Sequence, residues 1–381
     1  YECVPMRFIK HVYKIHTYAQ DGRLFEGKTP VSAFLNSSYD GSFIAGLMEL
    51  RYIQSLPVER IINYFESHGF TLKKPTAHKL MEKASSLFEN LYKCIRQTAL
   101  GDPYKAADET YYKILVPEKN SKGKGVRKGY LWVVVGINTR MIYLLYDDGS
   151  RSEKVILNEL GGCKGIIQSD GYSPYRKLES DAYPHITRIP CLQHIKRKFI
   201  DCGEDEPDAK RIVELINTLY QNEHKHKIGV DGWTVEQNLV HRKKYAPDIL
   251  GEIKDVLDDI EERGDLLPKS ELKEAITYLR NEWNAVVDIF NYGDTYLDNN
   301  IVERMNRYIS LSRKNSLFFG SHKGAERGAI LYTIALTCRM NKVNLFEYLT
   351  DVINRTAEWQ PNTPLEKYRQ LLPDRWEKAN D

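Results

Sequence analysis

Long apolar segments are missing from this chain of 381 residues. No run approaches the length that crosses a bilayer, and no charged segment followed by an apolar one opens the sequence. Mean hydropathy is −0.51, and 42% of the residues are hydrophobic. The sequence therefore predicts a protein without a membrane partner that is large enough for two or three cored domains.

Cysteine pairs are also missing. The chain has six cysteines but no Cys-x-x-Cys, and its one close cysteine and histidine spacing is Cys191-x-x-His194. This pattern argues against a disulfide framework or a ribbon-type zinc site, and it indicates a reducing cytoplasm.

A strong net charge is missing as well, since the formal charge is only +3. Contacts with nucleic acid must then come from local clusters. One such cluster lies between Ile301 and Gly328, where six Lys or Arg residues stand against two acids. That local excess suits a phosphate backbone.

Helical periodicity dominates from Phe43 to Leu100, after a short β-like alternation at residues 7–15. Residues 57–65 and 71–80 flank a glycine break at helix-turn-helix spacing. The second helix would carry Lys73, Lys74 and Lys79 to DNA. The alternative is an ordinary helical hairpin with a solvated basic face.

The period changes to that of strands after Pro103. Residues 104–116, 130–138 and 141–146 predict three adjoining strands, with a basic loop at 118–128 between the first two. A helix, strands at 165–169 and 186–190 and a further helix follow. This order predicts an α/β fold with an RNase H-like core, that is, a mixed five-stranded sheet with helices.

Helical periodicity then continues over about ninety residues, so we expect an α-helical insertion in this core. The resulting division comprises residues 1–36, the remainder of an N-terminal module that began before Tyr1; 37–100, a helical, helix-turn-helix-like DNA-binding domain; 101–203, the first part of the RNase H-like core; 204–292, the helical insertion; 293–345, the second part of the core with Glu303; and 346–381, a C-terminal surface tail.

Two acids stand out because of where they fall in the predicted sheet. Asp108 lies inside the first strand, where a charge is costly unless it is paired or bound to metal, whereas Glu109 points to the opposite face. Asp170 ends the fourth strand, which neighbours the first in an RNase H-like sheet. Two carboxylates this close favour Mg²⁺ between them, and two such ions would support in-line phosphodiester transfer.

Glu303 has two interpretations. It begins a helix whose residues Val302, Met305 and Ile309 recur at the spacing of a buried face. The pattern Asn300-x-x-Glu303 fits a capping box at the start of that helix. Alternatively, Glu303 completes a metal site with the two aspartates.

Five motifs follow one another with fitting gaps: Ala107-Asp108-Glu109-Thr110, Gln168-Ser169-Asp170-Gly171-Tyr172, Cys191-x-x-His194-x-x-Arg197-Lys198-Phe199, Asp298-Asn299-Asn300-x-x-Glu303-Arg304 and Arg313-Lys314-Asn315-x-Leu317-Phe318-x-Gly320-Ser321. In these motifs the sequence resembles the DDE transposases of the insertion-sequence-sixty-six family, from about residue 30 to 355. The resemblance implies that Asp108, Asp170 and Glu303 are the catalytic and metal-binding residues. They would hold two Mg²⁺ ions, which Mn²⁺ can replace.

The same resemblance implies a bacterial transposase that nicks the ends of an insertion sequence and joins the freed 3′-hydroxyls to target DNA. Its expected partners are the double-stranded DNA of both the element and the target, a second copy of the chain or more in the synaptic complex, and accessory proteins of the same element. We expect a cytoplasmic, nucleoid-associated location. Cys3 is the sole cysteine of the N-terminal segment, so structural zinc is not expected there.

Several basic and polar residues are candidates for DNA contacts. Arg197 and Lys198 would contact phosphates, the alternative being a solvated helix face. Cys191 and His194 would either pack near the active site and orient it or contact DNA. One cysteine and one histidine supply only two of the four ligands of a tetrahedral zinc site. The residues that follow Glu303 would face DNA directly: Arg304, Arg307, Arg313, Lys314 and Asn315.

Two other functions stay open at this point. One is a domesticated or inactive transposase that acts as a DNA-binding regulator. The other is an RNase H-like nuclease without strand transfer. The presence of Asp108, Asp170 and Glu303 favours an active enzyme over an inactive transposase.

Overall fold

The computed structural model describes residues 1–2, 5–27, 32–34, 37–119, 123, 125–264, 266–360 and 362–378. Near the N-terminus lies an antiparallel hairpin of two exposed strands, β1 (Thr17–Gln20) and β2 (Arg23–Glu26). Its turn residues Asp21 and Gly22 have φ angles of 50° and 72°, as favoured in two-residue hairpin loops. Cys3 lies outside the described residues.

The strand predicted at residues 7–15 is wrong, because that segment has no regular structure. Alternation of apolar and polar residues makes a strand only when a neighbouring strand accepts its hydrogen bonds. The turn signal Asp21-Gly22 instead places the hairpin further along the chain.

Four helices follow: α1 (Gly41–Tyr52), α2 (Val58–Ser67), α3 (Lys74–Leu87) and α4 (Glu89–Gly101). Asp40 caps α1 by accepting a hydrogen bond from the Phe43 amide. The predicted sequence of helix, glycine turn and helix is confirmed, with Gly69 between α2 and α3 at a φ of 82°. The second of these helices extends to Leu87.

The central sheet contains β3 (Tyr104–Leu115), β4 (Val126–Gly136), β5 (Met141–Leu145), β6 (Gly165–Ser169) and β7 (Ile186–Pro190). Its strand order is β5-β4-β3-β6-β7. Strands β3 to β5 are antiparallel neighbours, whereas β6 and β7 run parallel to β3. Helix α5 (Glu153–Leu160) precedes β6, and the short helix α6 (Ser173–Arg176) follows it.

The five strands occur where the sequence predicts them, with one correction. Strand β4 begins already at Val126, so Arg127 and Lys128 belong to it and not to the predicted basic loop. They pair with residues of the long strand β3, which extends the ladder beyond the apolar run. Residues 120–122 and 124 of that loop lie outside the described part.

Four helices come after β7: α7 (Leu192–Ile200), α8 (Pro207–Glu223), α9 (Val235–Arg263) and α10 (Glu271–Ile289). A capping box of Thr234 and Gln237 starts α9, and Gly264 ends it in the left-handed region. The apolar faces of these helices form one core, which reaches the sheet through Tyr104, Ile166 and Ile189.

The chain then returns to the sheet with α11 (Asn300–Asn315), α12 (His322–Met340), α13 (Leu345–Thr356) and α14 (Leu365–Arg369). A second, larger core unites α1 to α4, the sheet and α11 to α13. Thr333 of α12 fixes the contact with β5, since its hydroxyl accepts a hydrogen bond from the Leu144 amide at 2.9 Å.

The C-terminal segment is not the predicted surface tail. Tyr368, Leu371 and Leu372 are buried in the larger core, and Trp376 Nε1 donates to Asp351 Oδ2 at 2.6 Å. A few apolar residues are enough to anchor a segment that charged and proline residues otherwise dominate.

Among the helices that the structure describes, none combines the length and the apolar character needed to cross a membrane.

Candidate active site

Asp108 lies within β3, largely buried and held by two hydrogen bonds. Its Oδ1 accepts from the Glu109 amide at 2.8 Å, and its Oδ2 accepts from Asn306 Nδ2 of α11 at 2.9 Å. Burial raises the pKa of Asp108 to about 8, with smaller contributions from the charges of Glu109 and Asp170. An ionised Asp108 is therefore unfavourable here unless a cation accompanies it.

Asp170 follows β6, the strand beside β3. The parallel register pairs Tyr104 with Ile166 and Ala106 with Gln168. Continued by two residues, this register brings Asp170 level with Asp108, and adjacent strands lie about 4.8 Å apart. The Asp170 side chain caps its own turn, because Oδ1 accepts from the Tyr172 amide at 3.1 Å.

Glu303 lies in the first turn of α11 and contacts His194 of α7. The distance between Glu303 Oε1 and His194 Nε2 is 3.6 Å, and 29% and 26% of the two side chains are exposed. In the described part of the chain, no three His, Cys, Asp or Glu side chains come together as a metal site. The structure thus brings Asp108 and Asp170 together and pairs Glu303 with His194.

The predicted capping box of Asn300 and Glu303 is wrong. The N-cap residue of α11 is Asn299, one position earlier, and its side chain makes no capping bond. Asn299 Nδ2 instead donates to the Ala107 carbonyl at 3.0 Å, next to Asp108. A long-range contact with β3 has replaced the local cap.

Cys191 helps to fix the same helix start. Its sulfur accepts from the Asn299 amide at 3.2 Å, and only 1% of the residue is exposed. Burial raises the pKa of the thiol to about 11. Cys191 is therefore a buried residue that holds the start of α11 through the Asn299 amide. His194 Nδ1 is buried and has no hydrogen-bond partner among the described residues.

A cleft of about 420 Å³ opens beside Asp170. Arg197 and Lys198 line it as exposed residues of α7, together with His194 and with Arg151, which the sequence analysis did not single out. Two acids, Asp170 and Asp201, line it as well. The cleft therefore places the carboxylate of Asp170 close to several basic side chains.

Helix α10 braces the turn at Asp170 from behind. The fully buried guanidinium of Arg188 donates to the Asp170 carbonyl at 2.7 Å and pairs with Glu282 of α10 at 2.5 Å. The Gly171 amide donates to the Tyr278 hydroxyl at 2.8 Å. A Cβ at Gly171 would lie 2.5 Å from that oxygen, so the close approach requires glycine.

The remaining predicted DNA-contacting residues lie on α3 and α11, except for Lys73, which immediately precedes α3. Arg304, Arg307, Lys314, Lys73 and Lys79 are exposed. Lys74 is exposed but pairs with Glu59, and Asn315 Nδ2 donates to the Ser55 carbonyl at 3.1 Å. Arg313 is half-buried, and its Nη1 donates to the Tyr111 carbonyl at 2.6 Å.

Sequence reasoning missed Asn306 and Arg151 because neither belongs to one of the five motifs. Asn306 follows Glu303 by one helical turn, which was the available signal that both lie on one side of α11. For Arg151 the sequence offers no comparable signal.

Comparison with known proteins gives a family and several relatives. Residues 36–327 match the family described as Transposase IS66 family. The uncharacterized protein y4jD of Sinorhizobium fredii (strain NBRC 101917 / NGR234) is 25% identical over 346 residues, covering 87% of this chain and 65% of that protein. Proteins y4hP and y4qI of the same strain are 24% and 26% identical, over 100% and 96% of this chain and 70% and 69% of their own lengths. The chain thus spans about two thirds of the length of these relatives.

Proposed function

Because the chain belongs to the IS66 family of transposases, we propose that it cleaves DNA at the ends of an insertion sequence and joins the freed 3′-hydroxyls to target DNA. The observation that carries this proposal is the pair of neighbouring carboxylates in the sheet. Asp108 is largely buried beside Asp170, and the electrostatic cost of that arrangement is typical of catalytic sites.

The sheet supports an RNase H-like interpretation of the fold. Three antiparallel strands are followed by two that run parallel to the first of them, in the order β5-β4-β3-β6-β7. We interpret α8 to α10 as an insertion between the strands of this core and α11. In this interpretation the acids come from the first strand, the fourth strand and the helix after the insertion.

The donor set at Asp108 and Asp170 fits a divalent cation with oxygen ligands. Asp108 is costly to ionise without one, and Asn306 Oδ1 is buried without a hydrogen-bond partner among the described residues. Asp108 and Asp170 would hold Mg²⁺, which Mn²⁺ can replace, and Glu303 would complete the set. Two such ions supply an activated hydroxyl and a stabilised leaving oxygen.

The protein's own groups orient these acids. Asn306 Nδ2 holds Asp108 Oδ2, and the Tyr172 amide holds Asp170 Oδ1. His194 keeps Glu303 within 3.6 Å of its ring nitrogen, so Glu303 can position the attacking hydroxyl without drifting into solvent. Arg197 and Lys198, at the cleft, would bind the phosphates next to the scissile bond.

Double-stranded DNA of the element ends and of the target is the proposed partner. Exposed basic residues on α11 and α3 would contact its backbone. Since two ends must be held at once, we infer a dimer or higher oligomer in the synaptic complex. Accessory proteins of the same element are further proposed partners.

The test is a strand-transfer assay with the DNA ends of the element that encodes the protein. Wild type should give nicked and joined products in Mg²⁺, whereas Asp108→Asn and Glu303→Gln should give neither and still bind the DNA. Glu262→Gln, an exposed acid of α9, is the matched control and should be fully active. Joined products from Glu303→Gln would overturn the assignment, and nicking without joining would indicate a nuclease.

A further inference from the structure

Basic and tyrosine side chains alternate in an unbroken row along one side of the sheet. Arg313 and Lys128 lie 3.9 and 4.3 Å from the ring centroid of Tyr111. Lys128 and Arg151 lie 5.3 and 5.1 Å from that of Tyr130, and Arg151 also lies 4.1 Å from that of Tyr172. In order, the cation–tyrosine row consists of Arg313, Tyr111, Lys128, Tyr130, Arg151 and Tyr172.

The fold explains why the row is continuous. Tyr111 of β3 and Tyr130 of β4 are directly opposite one another in the antiparallel register, and Lys128 is two residues before Tyr130, so it lies on the same face. Lys128 is then the diagonal neighbour of Tyr111. Arg313, at the end of α11, lies over the ring of Tyr111.

The row is attached to the candidate active site. Tyr172, its last member, donates its amide to Asp170 Oδ1. Arg151 pairs with Glu109, the neighbour of Asp108, at 2.5 Å and is also part of the cleft beside Asp170. The row therefore runs from the end of α11 across β3 and β4, on the face of the sheet that carries Glu109, to the turn at Asp170.

The chemistry of the row suits an extended anion. Lys128 and Arg151 are exposed, and Arg313 is half-buried. Long basic side chains normally lose rotamer freedom when they bind a phosphate, but stacking on a ring holds them in place beforehand. Arg151 gives its Nε and Nη2 to one Glu109 oxygen, and because a guanidinium has five N–H donors it keeps others for a second acceptor.

We propose that the cation–tyrosine row binds successive backbone phosphates of the DNA strand that leads into the active site. This inference rests on the proposed function and deepens it, because it assigns a path to the strand on one side of the acids. The tyrosines act by fixing the cations over their rings. Replacing an uncharged ring should thus weaken DNA binding even though no charge is lost.

The experiment measures binding of fluorescein-labelled, mixed-sequence DNA, as single strand and as duplex, by fluorescence anisotropy in an Asp108→Asn background that leaves the DNA uncut. Tyr111→Leu should weaken binding on the order of three- to tenfold, because it removes the ring against which both Arg313 and Lys128 lie, whereas Tyr111→Phe should bind like the parent. Lys128→Gln should reduce the salt dependence of binding, by about 0.7 in slope for a single strand or about 0.9 for a duplex.

Matched controls separate this path from general charge effects. Lys254→Gln on α9 removes an exposed lysine, and Tyr18→Leu removes an exposed ring from the N-terminal hairpin; neither should change affinity or salt slope. Circular dichroism and thermal melting establish that each variant is folded. Equal binding by Tyr111→Leu and Tyr111→Phe, or an unchanged slope for Lys128→Gln, would overturn the proposal. Cleavage by the Asp108→Asn background would instead refute the proposed function.

Discussion

Replacing Asp108 with asparagine should stabilise the metal-free protein even as it abolishes activity. Burial first, and then the charges of Glu109 and Asp170, raises the pKa of the Asp108 carboxyl to about 8. In an unfolded chain an aspartate titrates at about 3.9. At pH 7 the folded protein thus retains a proton that the unfolded chain has released, which costs about 4 kcal/mol of folding free energy. An amide has no such cost.

The sign of the pH dependence follows from the raised pKa. The stability linked to Asp108 is fully present below about pH 4 and is lost as the pH rises through about 8. The Asp108→Asn variant lacks this loss. The free energy of unfolding of the variant should accordingly be close to that of wild type at about pH 4 and exceed it by about 4 kcal/mol at pH 7.

The hydrogen bonds around Asp108 allow this substitution. Asn306 Nδ2 donates to the carboxylate, while Asn306 Oδ1 is buried without a partner among the described residues. If the Asn306 amide turns over, its oxygen can accept from the new amide at position 108. The substitution therefore leaves no additional buried polar atom unsatisfied.

Urea-induced unfolding in EDTA, repeated across this pH range, measures the effect. Asp259→Asn, an exposed aspartate of α9, is the matched control and should change the free energy of unfolding by less than about 0.5 kcal/mol at every pH. A gain for Asp108→Asn of equal size at acidic and neutral pH would refute the electrostatic reasoning. So would a loss of stability at pH 7.

Three further predictions concern the same region. Mg²⁺ or Mn²⁺ should raise the melting temperature of wild type. The increase should become larger as the pH approaches about 8, because the cation must displace the Asp108 proton, and Asp108→Asn should abolish it. Glu282→Gln should lower the free energy of unfolding by about 3 kcal/mol in denaturant titrations, since it leaves the buried Arg188 without one of its charge partners. Iodoacetamide mapping should find Cys191 modified only after unfolding, because the thiol is buried and its pKa is raised to about 11.

Local sequence signals were sufficient for the secondary structure around the site. Alternating and apolar runs predicted all five strands of the sheet, a glycine break with helical periodicity predicted α2 and α3, and helical periodicity predicted the helical segment that contains α8 to α10. The neighbouring positions of Asp108 and Asp170 follow from strand order and register alone. The strands and helices themselves depend on residues close together in the chain, which a pattern can capture, whereas the strand order was expected from the RNase H-like succession of elements.

Side-chain partners were beyond that reach, because they depend on residues far apart in the sequence. Asn300 and Glu303 have the spacing of a capping box, yet Asn299 takes the cap position. The side-chain amide of Asn299 donates to the Ala107 carbonyl of β3. A local motif predicts the hydrogen bond that the helix would make in isolation. In the folded protein the Asn299 side chain donates to the buried Ala107 carbonyl instead, because an unsatisfied buried carbonyl is costly.

The same dependence on distant residues determines how the site is supported. The turn at Asp170 is held through its carbonyl by Arg188 and through the Gly171 amide by Tyr278, and Arg188 in turn depends on Glu282. Tyr278 and Glu282 both belong to α10. Without α10, the guanidinium of Arg188 would lose a buried charge partner, and the turn would lose a hydrogen bond. Helix α10 is for this reason a structural part of the Asp170 site, although none of the three acids belongs to it.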